Sequence, residues 1–231
     1  MKNKTLSSKT PVSNAPVLFA QETSFEQLNF AEVIESSLDS FTAQCWQWDY
    51  FPHFGSLVQV ESQTHTIFGC VVQVQTGSMD STRSAFPYQK TEDELRTEQP
   101  QIFEFLKTTF VVQIIGYTEK AYLVPTPAGP TPAFTYLLAP TPTKIHTFVR
   151  ECSIDVTKQF FSSSDFLHLL FSFQQKIPNL DELLLAILQR LNKQQALAQT
   201  FLDTFCQTFS LLTSNDYRRL KLFLKRIESI L

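Results

Sequence analysis

The sequence predicts an α+β protein: an N-terminal six-stranded β-barrel followed by a C-terminal α-helical bundle. Two observations carry the prediction. Three β-branched runs, Leu57–Val60, Ile67–Val74 and Thr109–Tyr117, show period-two character with glycines inside or at their ends. After Ser153, glycine and proline almost vanish and the apolar spacing becomes helical. The organisation read from this is a disordered start over 1–23, a barrel domain over 24–152 with a helical insert at about 88–107, and a helical bundle over 153–231.

Bulk properties exclude several classes. The chain has 231 residues, 43% of them hydrophobic, which suffices for a substantial core. Its formal net charge of -3 argues against a general polyanion binder, because phosphate-backbone affinity needs a net basic face. Four cysteines, Cys45, Cys70, Cys152 and Cys206, lie far apart without CxxC spacing, as expected of reduced thiols in a cytoplasmic protein. No apolar run reaches the roughly 20 residues that cross a bilayer. The lysines at 2, 4 and 9 are followed only by PVLFA, too short for a signal-peptide core.

Taken in order, a short helix is expected from Ser24, capped by Ser24 with Gln27 and striped by Phe25, Leu28, Val33, Ile34 and Leu38. Trp46, Trp48, Tyr50, Phe51 and Phe54 then fall within nine residues. Such a cluster is either a stacking platform for bases or a wedge sealing a barrel end. The absence of Lys or Arg between Phe41 and Thr82 favours the wedge. Gly69, inside the second strand, marks a bulge or sharp bend. In the insert, Thr91 and Glu94 form a capping-box pattern, and Pro100 ends that helix or opens another. Further strands are expected at Ala121–Val124, Phe134–Leu138 and Lys144–Cys152, separated by Pro-rich stretches that suit surface connections or edges. One helical stretch spans Asp165–Phe173. Asn179 with Glu182 starts a helix whose face is Leu180, Leu183, Leu184, Ile187, Leu188 and Leu191. Leu197 to Leu212 continues in the same manner. Ser214 is the expected cap of the last helix, with Tyr217, Leu220, Phe223, Leu224, Ile227 and Leu231 facing inward.

The order FGSLVQVES, TIFGCVVQVQTG, TTFVVQIIGY, YLVPTPA, APTPTKIHTFV resembles the HAS-barrel, the small barrel that precedes the ATPase core in HerA-type DNA translocases and in the rotary ATP synthase α and β subunits. The resemblance rests on the strand Gly69–Val74, the Ile-Gly-Tyr ending at Ile115–Tyr117 and the Pro-rich approach to the last strand, over about residues 50–152. The helical tail is similar to that of short bacterial barrel proteins with a helical extension. The family's ATPases carry a P-loop after the barrel. Here none of the five glycines is followed by Lys, so the phosphate cradle is absent and nucleotide hydrolysis does not carry over. What the resemblance implies is ring assembly or partner contact.

No catalytic constellation emerges. His53, His65, His146 and His168 show no HxxxH or HExxH spacing, and no G-x-S-x-G is present. The PxxP at Pro127–Pro130 lacks the adjacent cation that SH3-type grooves want. Adjacent acids such as Glu92 with Glu94 and Asp181 with Glu182 read as helix starts. No enzyme activity, cofactor, metal, membrane span or small-molecule substrate is expected. The candidate interaction residues are Trp46, Trp48, Arg83 in the insert, and the basic strip Arg218, Arg219, Lys221, Lys225 and Arg226. The leading expectation is a non-catalytic assembly or adaptor module docking through its barrel on a partner protein, a HerA-like ATPase among the candidates, or on itself. The alternative is a nucleic-acid-binding accessory using the aromatic segment and the basic last helix. The basic strip and the acidic insert could also recognise each other in trans.

Overall fold

The computed structural model describes residues 29–80, 82, 86–120, 123–126, 129–214 and 216–230. Its strands are β1 (Ala31–Ser36), β2 (Ser40–Cys45), β3 (Leu57–Glu61), β4 (His65–Ser78), β5 (Leu106–Glu119), β6 (Leu123–Thr126), β7 (Gly129–Pro132) and β8 (Phe148–Glu151). Six of them close an antiparallel barrel in the order β1-β2-β5-β4-β3-β8. The expected strand count is right, but two of its members differ. The segment read as a helix supplies β1 instead, and Ser40–Cys45 supplies β2. Residues 24–28 lie outside the described residues. Val33 and Ile34 are β-branched, and a tight turn joins the two strands, with the Ser37 hydroxyl donating to the Asp39 carboxylate at 3.0 Å and the Ser37 N–H to the Ser40 carbonyl at 2.8 Å.

Conversely, Phe134–Leu138 contributes no barrel strand. Its backbone pairs with the sheet through the Thr135–Tyr117 bridge. The Pro-rich region forms a separate two-stranded hairpin of β6 and β7, with Pro125 opposite Pro130. A two-stranded ribbon has only edges, so prolines cost it no essential ladder bond. The Gly69 expectation holds: the β4–β5 register shifts between Phe68 and Gly69. A Cβ on Gly69 would lie 2.3 Å from Val112 Cγ1 and 2.7 Å from the Gln113 carbonyl, so the strands approach there as only glycine permits.

The barrel interior follows the period-two pattern. Phe41, Ala43 and Cys45 of β2, Val58 and Val60 of β3, Phe110, Val112 and Ile114 of β5, and Val149 of β8 point inward. Phe30 stacks on Phe110 at 5.7 Å and takes Tyr50 edge-on at 5.8 Å, closing the interior with a ring from the aromatic segment. Only part of the expected wedge forms: Tyr50 covers Phe30, but Trp46, Tyr50, Phe51 and Phe54 remain exposed.

Helices are α1 (Glu92–Glu98), α2 (Ile154–Phe160), α3 (Phe166–Ser172), α4 (Leu180–Lys193), α5 (Gln199–Leu212) and α6 (Tyr217–Glu228), with a 3-10 turn at Pro100–Phe105. The capping boxes behave as read. The Thr91 and Glu94 pair is reciprocal, and Asn179 accepts from the Glu182 N–H. The last helix differs: Asp216, not Ser214, caps it by accepting from the Arg219 N–H at 2.9 Å, and Tyr217 is 74% exposed instead of facing inward. Leu231 lies outside the described residues.

The helices α2–α6 cover one wall of the barrel. Leu57, Phe68, Cys70, Val72 and Ile115 point outward from β3, β4 and β5 and join the helical side chains in one apolar cluster. This explains why Ile67–Val72 reads as a continuous buried run: alternate residues face the barrel interior and the helices. The joint is Phe160. It is fully buried, packs on Phe68, Phe134, Tyr136 and Phe161 with ring centroids 5.1–5.4 Å apart, and lies over the bare backbone of Gly116. The Tyr136 hydroxyl donates to its carbonyl at 2.6 Å. Farther out, α5 and α6 meet through Phe209 and Phe223, stacked at 4.1 Å.

A polar tether ties the β1–β2 turn to the helices. Lys176 reaches the Asp39 carboxylate at 2.7 Å, and the Gln113 amide donates to the Asp39 carbonyl at 2.7 Å. Burial pushes the Asp39 carboxyl up, but the hydrogen bonds from Lys176 and Ser37 and the ammonium charge outweigh it and hold the group below its usual range.

Two outcomes test this arrangement. Phe160→Ala costs about 3–5 kcal/mol in denaturant unfolding, since it empties the joint between barrel and helices; a loss under about 1 kcal/mol contradicts the packing. The Asp39 pair contributes stability that is fully present above the ordinary carboxyl value of 3.8 and is lost as pH falls through the lowered folded value. Urea melts at neutral pH and near the bottom of that range therefore show a smaller acid loss for Asp39→Asn than for the parent chain.

Candidate interaction surfaces

The two tryptophans, one residue apart, do different things. Trp46 follows Cys45, which faces inward, so its ring stands on the outer wall. There it meets Phe148 edge to face at 5.3 Å across β1. Both are largely open, Trp46 at 53% and Phe148 at 50% exposure. Trp48 instead stacks on Phe103 of the insert at 5.5 Å, with the Arg96 guanidinium over both rings at 5.9 and 4.9 Å. Arg96 also pairs with Asp49 at 3.1 Å and Glu92 at 2.8 Å. Trp48 thus pins the insert to the barrel end.

Around Trp46 and Phe148 lies the outer wall of β2, β1 and β8. Several of its charges are paired, while Glu35 of β1 makes no ion pair among the described residues. His146, held at a φ of 69° in the β8 approach, bonds the Glu32 carboxylate, and Arg150 pairs with Glu61. Arg150 also donates to the Gln59 side-chain oxygen when that amide is turned toward it. Asn29, Gln59, Glu61, Thr147, Phe148 and Arg150 border a shallow hollow of about 200 Å³. The result is an exposed aromatic pair rimmed by satisfied polar groups, on the wall that the helices leave free. The seam where β1 meets β8 is short, with only Ala31–Val149 and Glu32–Phe148 in register.

The basic strip is split. Arg219 makes a two-pronged pair with Asp181 of α4, at 3.0 and 2.6 Å, and lies 5.5 Å from the Phe171 ring. Arg226 grips Glu182 with two bonds at 2.6 and 3.0 Å. These carboxylates raise both guanidinium pKa values, and Arg226 lowers that of Glu182. Arg219 and Arg226 therefore fasten α6 to the first turn of α4. Arg218, Lys221 and Lys225 form no ion pair among the described residues. A groove of about 540 Å³ runs beside them, bordered by Asp181, Asp216, Arg218, Leu222 and Lys225. Arg83 lies outside the described residues.

Of the expected interaction residues, Trp46 stands with Phe148, Trp48 is absorbed by the insert, and α6 packs on α4 and α5. No ring contact or ion pair joins the tryptophans to the basic strip among the described residues. Sequence reasoning missed Phe148, whose signal was its place one residue before the inward-facing Val149, and Arg96, whose signal was its i, i+4 spacing from Glu92.

Thiol chemistry finds no support. Burial raises all four thiol pKa values, Cys45 to about 12, away from the range of a reactive thiolate. Among the described residues no three His, Cys, Asp or Glu side chains gather as metal ligands, and no helix is long and apolar enough to cross a membrane. No protein-family model matches the chain, and no curated protein matches it at a significant level.

The split of the basic strip is checked by a double-mutant cycle. Arg219→Ala and Asp181→Ala couple by about 1 kcal/mol after allowance for solvent screening, whereas Arg218→Ala changes stability by less than about 0.5 kcal/mol. Strict additivity of the first pair contradicts the assignment.

Proposed function

We propose that this chain is a non-catalytic assembly or adaptor module whose barrel, of the HAS type, docks on a partner protein in the cytoplasm, with a HerA-like ATPase or a further copy of the chain as the occupant. The C-terminal helical bundle braces the opposite wall. The observation that carries the reading is the uncovered outer wall of β2, β1 and β8, with Trp46 and Phe148 half exposed side by side. Large aromatics encircled by satisfied polar groups are the usual composition of an interface centre. The reading assigns no chemical step to the chain.

The nucleic-acid reading draws on Arg218, Lys221 and Lys225 of α6, which form no ion pair among the described residues, but the aromatic partner it needs is elsewhere. Trp48 is stacked within the insert, and Trp46 stands on the barrel wall.

The test is binding of the purified chain to a purified HerA-type ATPase, and separately to a labelled copy of itself, by calorimetry. Trp46→Ser with Phe148→Ser weakens whichever association occurs at least tenfold, while the thermal midpoint stays close to the parent value because both rings are exposed. Unchanged binding to both, or nucleotide hydrolysis by the chain above a control, overturns the proposal.

A further inference from the structure

The insert and the last helix carry complementary features on different parts of the chain. Helix α1 buries no residue at all. It is held by its capping box, by the Lys90–Glu98 pair and by Arg96, none of which covers its outer face. Its one apolar residue, Leu95, is only half-buried, so the helix lacks the apolar stripe that normally justifies a helix in a fold. Asp93 and the nearby Glu104 make no ion pair among the described residues. Phe105, next to Glu104 in the chain, is 61% exposed.

Helix α6 shows the counterpart. Its inner face is spent on Phe223 and Ile227 in the core and on Arg219 and Arg226 in pairs with α4. At 100° per residue, Arg218, Lys221 and Lys225 fall together on the outer face, with Leu222, 56% exposed, and the exposed Tyr217 on its flanks. An acidic surface with exposed Phe therefore faces solvent on the insert, and a basic surface with exposed Leu and Tyr faces solvent on α6. Within one chain no ion pair joins them among the described residues, so each is left without a complement.

We propose that the acidic insert of one copy, through Asp93, Glu104 and Phe105, seats on the Arg218, Lys221 and Lys225 face of α6 in a second copy. The two surfaces differ, so the contact is head-to-tail and repeats from copy to copy, giving a ring if the rotation closes and an open string if it does not. Several exposed charge pairs with a modest apolar centre make such a contact weak and salt-sensitive. It uses neither Trp46 nor Phe148 and is independent of the docking wall.

The experiment is light scattering on the full chain over a concentration series, at about 0.05 M and about 0.5 M salt. The expected result is a mass above the monomer that rises with concentration at low salt and is lost at high salt. Two variants give the decisive arm: Arg218→Glu with Lys221→Glu and Lys225→Glu, and Asp93→Lys with Glu104→Lys. Circular dichroism first confirms that each is folded. Each alone is monomeric at low salt. Mixed, they associate again at low salt, because each retains the half that the other has lost and the two reversed faces carry opposite charges. A parent chain that stays monomeric, variants that assemble as the parent does, or a mixture that stays monomeric overturns the proposal. Assembly lost with Trp46→Ser and Phe148→Ser but kept in the charge variants also overturns it, and assigns self-association to the barrel wall. A monomeric parent that binds a labelled DNA duplex, with loss in the α6 variant, overturns it in favour of nucleic acid.

Discussion

Phe160 rests on the bare backbone of Gly116, and this contact decides which wall of the barrel is covered. A Cβ at residue 116 would fall 3.3 Å from the Phe160 ring and 2.9 Å from the Thr135 carbonyl. Glycine lets α2 and the Phe134–Tyr136 stretch come down onto β5. Once Phe160 is seated, α3 follows along β5, and the side chains of α4 join the same apolar cluster as Leu57, Phe68, Cys70 and Val72 of β3 and β4. Gly55, at a φ of 78°, lets the loop before β3 press against Ala186 of α4. The outward residues of β3, β4 and β5 become core, and those of β8, β1 and β2 are left as surface.

That asymmetry organises the rest of the molecule. Where the helices meet the barrel, the polar pairings are specific: Asp39 of the β1–β2 turn with Lys176, and Tyr136 with the Phe160 carbonyl. On the open wall, polar residues balance one another around Trp46 and Phe148. The ion pairs between α4 and α6 hold the outermost helix at the correct depth for Phe223 to stack on Phe209. They leave Arg218, Lys221 and Lys225 pointing away. Stability and recognition thus draw on different residues of the same helix.

Much of this was legible in the sequence, and the physical reason differs from element to element. β3, β4 and β5 announced themselves because they are buried on both sides, which forces a continuous β-branched run. Helix α4 did so because seven of its residues are buried along one stripe. Thr91 and Asn179 were readable as caps because capping is local chemistry. β1 and β2 were hidden for the opposite reason. With only one face buried, AEVIES and SFTAQC are short alternating segments, and the spacing of Val33, Ile34 and Leu38 also suits a helix. Nothing local separates these readings; the strand pairing with β5 and β8 does. The basic strip was legible as a strip, but not which cations were already bound, because Asp181 and Glu182 lie about 40 residues away in the chain. The tryptophans were legible as a cluster, yet their divergence depends on Phe103 and Phe148, from two other elements.

The most direct measurement is the solvent exposure of Trp46. The chain has two tryptophans, so Trp48→Phe keeps a ring against Phe103 and leaves Trp46 as the sole indole emitter. The account predicts water-exposed emission, readily quenched by iodide, in the dilute chain, with a blue shift and loss of quenching when a partner docks. Emission that is already blue-shifted and protected in the dilute chain would contradict it, because the wall assigned to docking would then be covered by the chain itself.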